Sequence, residues 1–331
     1  MSLVAGSYER FIWGYKLNRS LTLTPLFSFP SHLSTIKTVA VAGTVAVSGG
    51  NDDCIKIYDL SSSSEVGSFH HSASITSVAF YSPPSLSSLP RNLLAADADG
   101  FVSIYDADPF VLLKTVKIHK KSVNSLSVHP SGKLALTVGH DQCLALVNLV
   151  RGRRSFYCKL GKEASLVQFD ESGDKFSMVV DDKVSIHEAE DAKLIVELDN
   201  TKKVLCATSG ANGILFTGGE DRSISAWDTA SGKLAYSIEN AHAARVKGIV
   251  VLSKSSADPG GENPYIVASA SSDGVIRVWD VRKAVEGKPL SEVHTKSRLT
   301  CLAGSSIRSL KRPRIEMLHT AENLNAAAVE S

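Results

Sequence analysis

The 331-residue sequence has no long hydrophobic run. Its longest weakly polar stretch, residues 38–50, contains three glycines and is shorter than the roughly 20 apolar residues that a membrane-crossing helix needs. No basic segment precedes an apolar one at the start of the chain, so a secretory signal is not expected and we expect an intracellular protein. With 43% hydrophobic and 21% charged residues, the composition is that of a soluble globular protein.

Cysteine is also scarce. The five cysteines form no C-x-x-C pair and are too widely spaced for a disulfide framework or a zinc site. They are Cys54, Cys143, Cys158, Cys206 and Cys301, each in a strand-like run that favours a small buried hydrophobe. The signatures G-x-x-x-x-G-K-S/T, H-E-x-x-H and G-x-S-x-G are missing too, so neither an enzyme nor a cofactor is expected.

One unit recurs seven times along the chain. Residues 3–17 (LVAGSYERFIWGYKL) align without gaps on residues 46–60 (AVSGGNDDCIKIYDL), and both contain two apolar runs separated by a polar turn. One position near the end of the unit is occupied in turn by Tyr15, Tyr58, Tyr105, Val147, His187, Trp227 and Trp279. Successive occupants are 43, 47, 42, 40, 40 and 52 positions apart, which is the period of WD repeats.

Two further strand-like runs separate successive units, for example residues 112–117 and 123–128, so each repeat contains four strands. Seven such repeats predict an all-β fold, a seven-bladed β-propeller over residues 1–303. The chain begins with the second and third strands of a blade, and we expect the runs 289–294 and 298–303 to complete it. Pairing of the two chain ends then closes the ring. Residues 304–331 are expected to be a short disordered tail with a basic cluster at residues 311–314.

Polar residues recur in register within the repeats. In WD-repeat proteins, which these units resemble, a His, a Ser or Thr, an Asp and an aromatic residue form a hydrogen-bonded chain inside the blade. The seventh unit has the full set: His242, Ser269, Asp273 and Trp279. Partial sets are His32, Ser48, Asp52 and Tyr58 in the second blade, His71, Asp99 and Tyr105 in the third, and His119, Thr137 and Asp141 in the fourth. Their recurrence in register argues for a structural network and against a catalytic triad.

The chain as a whole resembles the PAK-interacting-protein-like WD-repeat family. The segments that carry the resemblance are residues 3–17, residues 129–156 (HPSGKLALTVGHDQCLALVNLVRGRRSF), residues 268–281 (ASASSDGVIRVWDV) and residues 298–303 (RLTCLA). The resemblance implies a nuclear and nucleolar factor for maturation of the large (60S) ribosomal subunit, monomeric within a larger assembly. Its implied partners are pre-ribosomal proteins and the ribosomal RNA backbone. For the animal members it also implies direct binding and restraint of p21-activated kinase.

An alternative function comes from the end of the seventh unit. Residues 278–282 (VWDVR) resemble the W-D-x-R box by which some propellers bind the adaptor of cullin-type ubiquitin ligases. The aromatic residue and the aspartate belong to the blade in any case, so only Arg282 adds information. A substrate receptor of a ubiquitin ligase is therefore the second hypothesis.

Positive charge is concentrated around the fourth blade. Residues 109–162 contain ten basic residues and one acidic residue, a net charge of +9 in a chain whose total is +2. Lys133 is predicted in the loop between the first two strands of the blade, and Arg151, Arg153 and Arg154 in the connection between its last two strands, which places all four on one face of the ring. Lys120 and Lys121 are predicted on the other face. This basic cluster is the candidate docking surface for RNA phosphates or an acidic protein.

Overall fold

The computed structural model describes residues 1–18, 20–83, 89–210, 213–252, 266–281 and 287–305. Within these ranges the chain forms 28 β-strands and no α-helix. None of its described helical turns is long and apolar enough to cross a membrane. The strands pair into seven antiparallel four-stranded sheets, as the repeat predicts.

Each sheet is one blade. Blade 1 contains β1 (Ser2–Ser7), β2 (Phe11–Leu17), β3 (Leu23–Pro30) and β28 (Leu299–Ser305). Blade 2 contains β4 (Ile36–Ala42), β5 (Val45–Gly50), β6 (Cys54–Asp59) and β7 (Ser64–His70). Blade 3 contains β8 (Ile75–Tyr81), β9 (Asn92–Asp97), β10 (Phe101–Ala107) and β11 (Phe110–Lys117). Blade 4 contains β12 (Val123–Val128), β13 (Leu134–Gly139), β14 (Cys143–Asn148) and β15 (Arg153–Lys159).

The second half of the ring repeats this arrangement. Blade 5 contains β16 (Leu166–Phe169), β17 (Lys175–Val180), β18 (Lys183–Glu188) and β19 (Leu194–Asp199). Blade 6 contains β20 (Val204–Ser209), β21 (Ile214–Gly219), β22 (Ile224–Asp228) and β23 (Leu234–Ile238). Blade 7 contains β24 (Val246–Leu252), β25 (Ile266–Ser271), β26 (Val275–Asp280) and β27 (Ser291–His294).

The innermost strands β28, β4, β8, β12, β16, β20 and β24 contact one another in this cyclic order. Closure depends on β28, which pairs with β1 in the register Val4 to Ala303 and Leu3 to Gly304. The expectation that two C-terminal strands complete blade 1 is wrong, because β27 pairs with β26 through a short connection and completes blade 7. Blade 1 takes its outer strand, β3, from the N-terminal segment instead. The strand β28 also runs to Ser305, two residues beyond the predicted boundary.

The hydrophobic core is divided into seven clusters, one at each junction between neighbouring blades. Close packing at two of the junctions requires a glycine near the end of the blade's second strand. A Cβ on Gly6 would lie 2.4 Å from Cγ2 of Ile36, and a Cβ on Gly49 would lie 2.4 Å from Cγ2 of Ile75. Glycine therefore lets the next inner strand begin with a branched, fully buried isoleucine.

The loops divide between two faces of the ring. We define the upper face by the connections between the second and third strands and those between successive blades. The lower face is defined by the connections between the first and second strands and between the third and fourth strands. Because consecutive strands are antiparallel, successive connections alternate between the two faces.

Candidate functional site

The hydrogen-bonded chain in blade 7 begins at a tryptophan. Nε1 of Trp279 donates to Oγ of Ser269 at 2.9 Å, and the Ser269 hydroxyl lies 2.8 Å from Nε2 of His242. Nδ1 of His242 lies 3.3 Å from Oδ2 of Asp273. Burial raises the pKa of Asp273, but the hydrogen bonds from His242, Val275 N–H and Ala243 N–H outweigh it and hold that pKa well below its ordinary value.

Blade 2 contains the same chain with a tyrosine at its end. Nδ1 of His32 donates to Oδ1 of Asp52 at 2.8 Å, Nε2 lies 2.6 Å from Oγ of Ser48, and Ser48 lies 2.8 Å from the hydroxyl of Tyr58. The Tyr58 hydroxyl also bonds the hydroxyl of Ser31. Burial lowers the pKa of His32, so this imidazole is neutral at pH 7 and Nε2 accepts from Ser48.

In blade 4, a residue that the repeat pattern did not predict joins the chain. His119 binds Asp141 at 2.9 Å and Thr137 at 2.9 Å, and Val147 occupies the aromatic position. Tyr157 on β15 instead donates to Oδ2 of Asp141 at 2.7 Å, at the opposite end of the chain from Thr137. The signal in the sequence is a tyrosine on the outer strand of the one blade that has valine at the aromatic position.

Blade 3 differs from the predicted set. The Tyr105 hydroxyl donates directly to Nε2 of His71 at 2.7 Å, because the serine position is occupied by Ala95. No described hydrogen bond joins the carboxylate of Asp99 to His71. Burial lowers the pKa of His71, and the negative charge of Asp97 partly offsets this effect. Asp97 is 4% exposed, and its carboxylate accepts hydrogen bonds from the backbone N–H groups of Asp99 and Phe101. Asp99 thus lies in the turn without joining the chain.

Two blades depart further from the pattern. In blade 6, Asn200 stands four residues before Val204, where other blades have histidine, and Thr217 donates to its Oδ1 at 2.9 Å. Nε1 of Trp227 donates to the same threonine at 3.0 Å. In blade 5, His187 in the aromatic position stacks on Phe176 at 5.0 Å and donates from Nδ1 to the carbonyl of Ala192 at 3.0 Å.

These arrangements have the chemistry of internal cross-links. The side chains of His32, His119 and His242 are fully buried, and each is bonded through both ring nitrogens to groups of its own blade. A general base must reach substrate, and these imidazoles do not face a cleft. Among the described residues, no group of three His, Cys, Asp or Glu side chains converges as metal ligands do. The networks hold strands together.

The basic cluster lies at the surface of blade 4. Lys133 is in the lower-face loop between β12 and β13, and Arg151 is in the lower-face loop between β14 and β15. Both side chains are exposed, and neither has a described carboxylate within ion-pair distance. Lys120 and Lys121 lie between β11 and β12 on the upper face. The structure therefore places these four residues on the two faces that the repeat predicts.

Arg153 and Arg154 lie elsewhere than expected. They are the first two residues of β15, paired with Asn148 and Val147, and not part of the connecting loop. The guanidinium of Arg154 lies 4.2 Å from the centre of the Tyr157 ring and donates to the carbonyl of Ile118 at 2.5 Å. Because Ile118 belongs to the upper-face connection between blades 3 and 4, Arg154 links two blades and is not available on the lower face.

Two predicted features fall outside the described residues. Arg282, the candidate contact for a ligase adaptor, lies directly after Val281, in the range 282–286 that the structure does not describe. The basic cluster at residues 311–314 follows the last described residue of β28, Ser305.

Comparison with known proteins agrees with this architecture. The family model described as "WD domain, G-beta repeat" matches residues 23–59, 63–106, 110–148 and 237–280. The chain is 33% identical over 308 residues to "p21-activated protein kinase-interacting protein 1-like" of Danio rerio, covering 91% of this chain and 80% of that protein.

Other relatives extend the comparison. Human "p21-activated protein kinase-interacting protein 1" is 32% identical over 317 residues, covering 91% of this chain and 76% of that protein. "Protein MAK11" of Saccharomyces cerevisiae is 30% identical over 227 residues, covering 61% of this chain and 55% of that protein.

Proposed function

Because the chain belongs to the p21-activated protein kinase-interacting protein 1 family of WD-repeat propellers, we propose that it is a non-enzymatic scaffold in nucleolar maturation of the large ribosomal subunit. It binds pre-ribosomal proteins and the ribosomal RNA backbone there as a monomer within the larger particle. The observation that carries this proposal is the basic cluster of blade 4, which is exposed, whereas the polar networks are buried and hold the strands of each blade together.

The charge placement favours phosphate contacts. Lys133 and Arg151 lie in adjacent loops of the same face, and Arg153 begins the strand that follows the second loop. All three side chains are exposed, with no described carboxylate in ion-pair contact. Contacts to a nucleic-acid backbone need positive charge and reach, and they require no reading of base edges. Exposed cations on one face are therefore sufficient for a scaffold that binds the RNA backbone.

The test reverses the lower-face charges. Lys133→Glu, Arg151→Glu and Arg153→Glu together are expected to release the protein from large-subunit precursors in sucrose gradients, with the melting temperature unchanged. Arg154 is left intact because it links blades 3 and 4. Association of the wild type is expected to weaken steeply as salt rises, because each phosphate contact releases counterions.

Lys120→Glu with Lys121→Glu reverses the two upper-face charges of the same cluster and tests whether docking uses that face as well. Equal co-sedimentation of the triple variant and the wild type would show that the basic cluster is not the docking surface. Depletion of the protein is expected to reduce mature large-subunit RNA relative to small-subunit RNA. Normal ribosome profiles, with loss of adaptor binding in Arg282→Ala, would favour the ubiquitin-ligase function instead.

Kinase binding is the second candidate function, and the names of the relatives favour it. The human and zebrafish proteins are named for interaction with p21-activated kinase, and this chain aligns with 76% and 80% of them. A purified kinase of this class is the direct probe. We expect it to bind the full chain in a titration, and to show lower activity when bound; a kinase that neither binds nor changes activity refutes this second function.

A further inference from the structure

An apolar groove of about 690 Å³ opens between blades 4 and 5 on the lower face. Its blade 4 wall consists of Leu134, Leu136, Leu144, Leu146 and Phe156, and Phe156 is 52% exposed. Pockets that hold ligands have volumes of roughly 300–1,000 Å³ and mostly apolar walls. The groove therefore has the size and the lining to take a large apolar side chain.

The opposite rim is held by the residue that breaks the repeat pattern. His187 stacks on Phe176 and donates to the carbonyl of Ala192, which fixes the turn between β18 and β19. Asp191 accepts from the N–H of Lys193 at 2.9 Å and tightens the same turn. Residues 188–192 consequently form a fixed lip along the groove.

The lip is acidic. Asp174, Glu188, Glu190 and Asp191 all line the groove, against one lysine, Lys175. All four carboxylates are exposed, and none has an ion-pair partner among the described residues. The surrounding blade has the same sign, since residues 170–199 contain ten acidic and three basic residues, a net charge of −7. The apolar wall thus faces uncompensated negative charge.

We propose that this groove binds a segment of a partner protein in which one large apolar side chain is flanked by lysine or arginine residues. The apolar side chain enters against Phe156 and Leu146, where its burial is favourable. The flanking cations lie against Glu188 and Glu190 and set the orientation and the rate of encounter. The proposal goes beyond the docking of RNA, because the acidic lip repels phosphates and the basic cluster on blade 4 attracts them.

The test uses a phage-displayed library of random 12-residue peptides, selected on the full-length protein. Enriched peptides are expected to share an aromatic or aliphatic residue next to Lys or Arg. For synthetic peptides of the consensus sequence, Phe156→Ser and the pair Glu188→Lys with Glu190→Lys are each expected to raise Kd at least about tenfold. Added salt is expected to weaken binding by the wild type and by Phe156→Ser, which keep the acidic lip, but not by the charge-reversed pair.

Two matched controls are available in the chain. Leu113→Ser removes an equally exposed apolar side chain, 57% exposed, from the outer strand of blade 3. Asp182→Lys reverses an exposed carboxylate of blade 5 in the upper-face turn between β17 and β18. Both controls are expected to keep the wild-type Kd, and melting temperatures of all variants check that they fold.

The proposal is overturned if the selection enriches no peptide, or only peptides whose binding survives both groove variants. Enrichment of acidic peptides overturns it as well, because they would not fit the lip. Sedimentation velocity tests whether a second copy of this chain occupies the groove. A concentration-dependent dimer that Phe156→Ser abolishes would identify the groove as a self-association surface instead of a peptide site.

Discussion

The hydroxyl of Tyr157 donates a hydrogen bond to Oδ2 of Asp141 at 2.7 Å, joining the outer strand of blade 4 to the turn between its second and third strands. The same carboxylate accepts from His119 and from the N–H of Lys120. Blade 4 has a valine where other blades have an aromatic residue, and Tyr157 extends the chain from a different strand and at its aspartate end.

Removal of this hydroxyl tests its contribution. Tyr157→Phe is expected to lower the free energy of unfolding by about 1–2 kcal/mol in urea titrations, because a hydrogen bond to a charged acceptor is lost while the ring stays under Arg154. Tyr81→Phe is the control, since its hydroxyl donates to the carbonyl of Ser131 at 3.2 Å in an exposed position. An equal loss in both variants would contradict the role assigned to Tyr157.

The buried histidines predict a pH dependence. Burial lowers the pKa values of His32, His71 and His119, so the unfolded chain binds protons more readily than the folded one. Their contribution to stability is fully present above the ordinary histidine pKa of about 6.5 and is lost as pH falls below it. Melting temperature is expected to decline from pH 6.5 towards pH 5. A flat profile over that window would contradict the neutral state of these imidazoles.

A second decline is expected below about pH 4. The pKa values of Asp52, Asp141 and Asp273 are lowered, so their contribution is present above the ordinary aspartate pKa and is lost as pH falls through the folded values. His32→Asn removes one of the three imidazoles and also the hydrogen bond from His32 that lowers the pKa of Asp52, and blade 6 has an asparagine at this position. This variant is expected to reduce the decline between pH 6.5 and pH 5.

The blade junctions predict a position-specific effect of a single methyl group. Gly49→Ala is expected to lower the free energy of unfolding by about 1–3 kcal/mol, because the new Cβ overlaps Cγ2 of Ile75 at 2.4 Å. Gly67→Ala in the outer strand of the same blade meets no atom within 4 Å and is expected to be neutral or slightly stabilising. Chemical denaturation of the two variants side by side makes the measurement.

Ring closure predicts a large effect of the last strand. A chain that ends at residue 298 lacks β28, which exposes the edge of β1 and removes Leu299, a residue 1% exposed in the core between blades 1 and 7. Its melting temperature is expected to be at least about 10 °C below that of a chain ending at residue 305. Equal melting temperatures would show that blade 1 does not need β28.

The repeat made the propeller predictable, since each copy adds independent support for the same four strands. It also located the residues of the chains in blades 2 and 7, because the spacing of His242 to Val246 is the spacing of His32 to Ile36. The repeat pattern assigned β27 to blade 1, whereas this strand pairs with β26 in blade 7. The composition of a strand does not show which neighbour it pairs with. It placed Asp99 in a network to which no described hydrogen bond of its carboxylate connects it.

The sequence by itself determined the number of blades, the family, and the two faces on which Lys133, Arg151, Lys120 and Lys121 lie. These follow from local pattern and from the alternation of antiparallel strands, which need no knowledge of side-chain contacts. Only the tertiary structure decided that Tyr157 binds Asp141 in blade 4, that Arg154 links two blades, and that an acidic lip faces the apolar wall at blade 5. Each of these brings together side chains from different strands or blades, and their distances are fixed by packing across the ring.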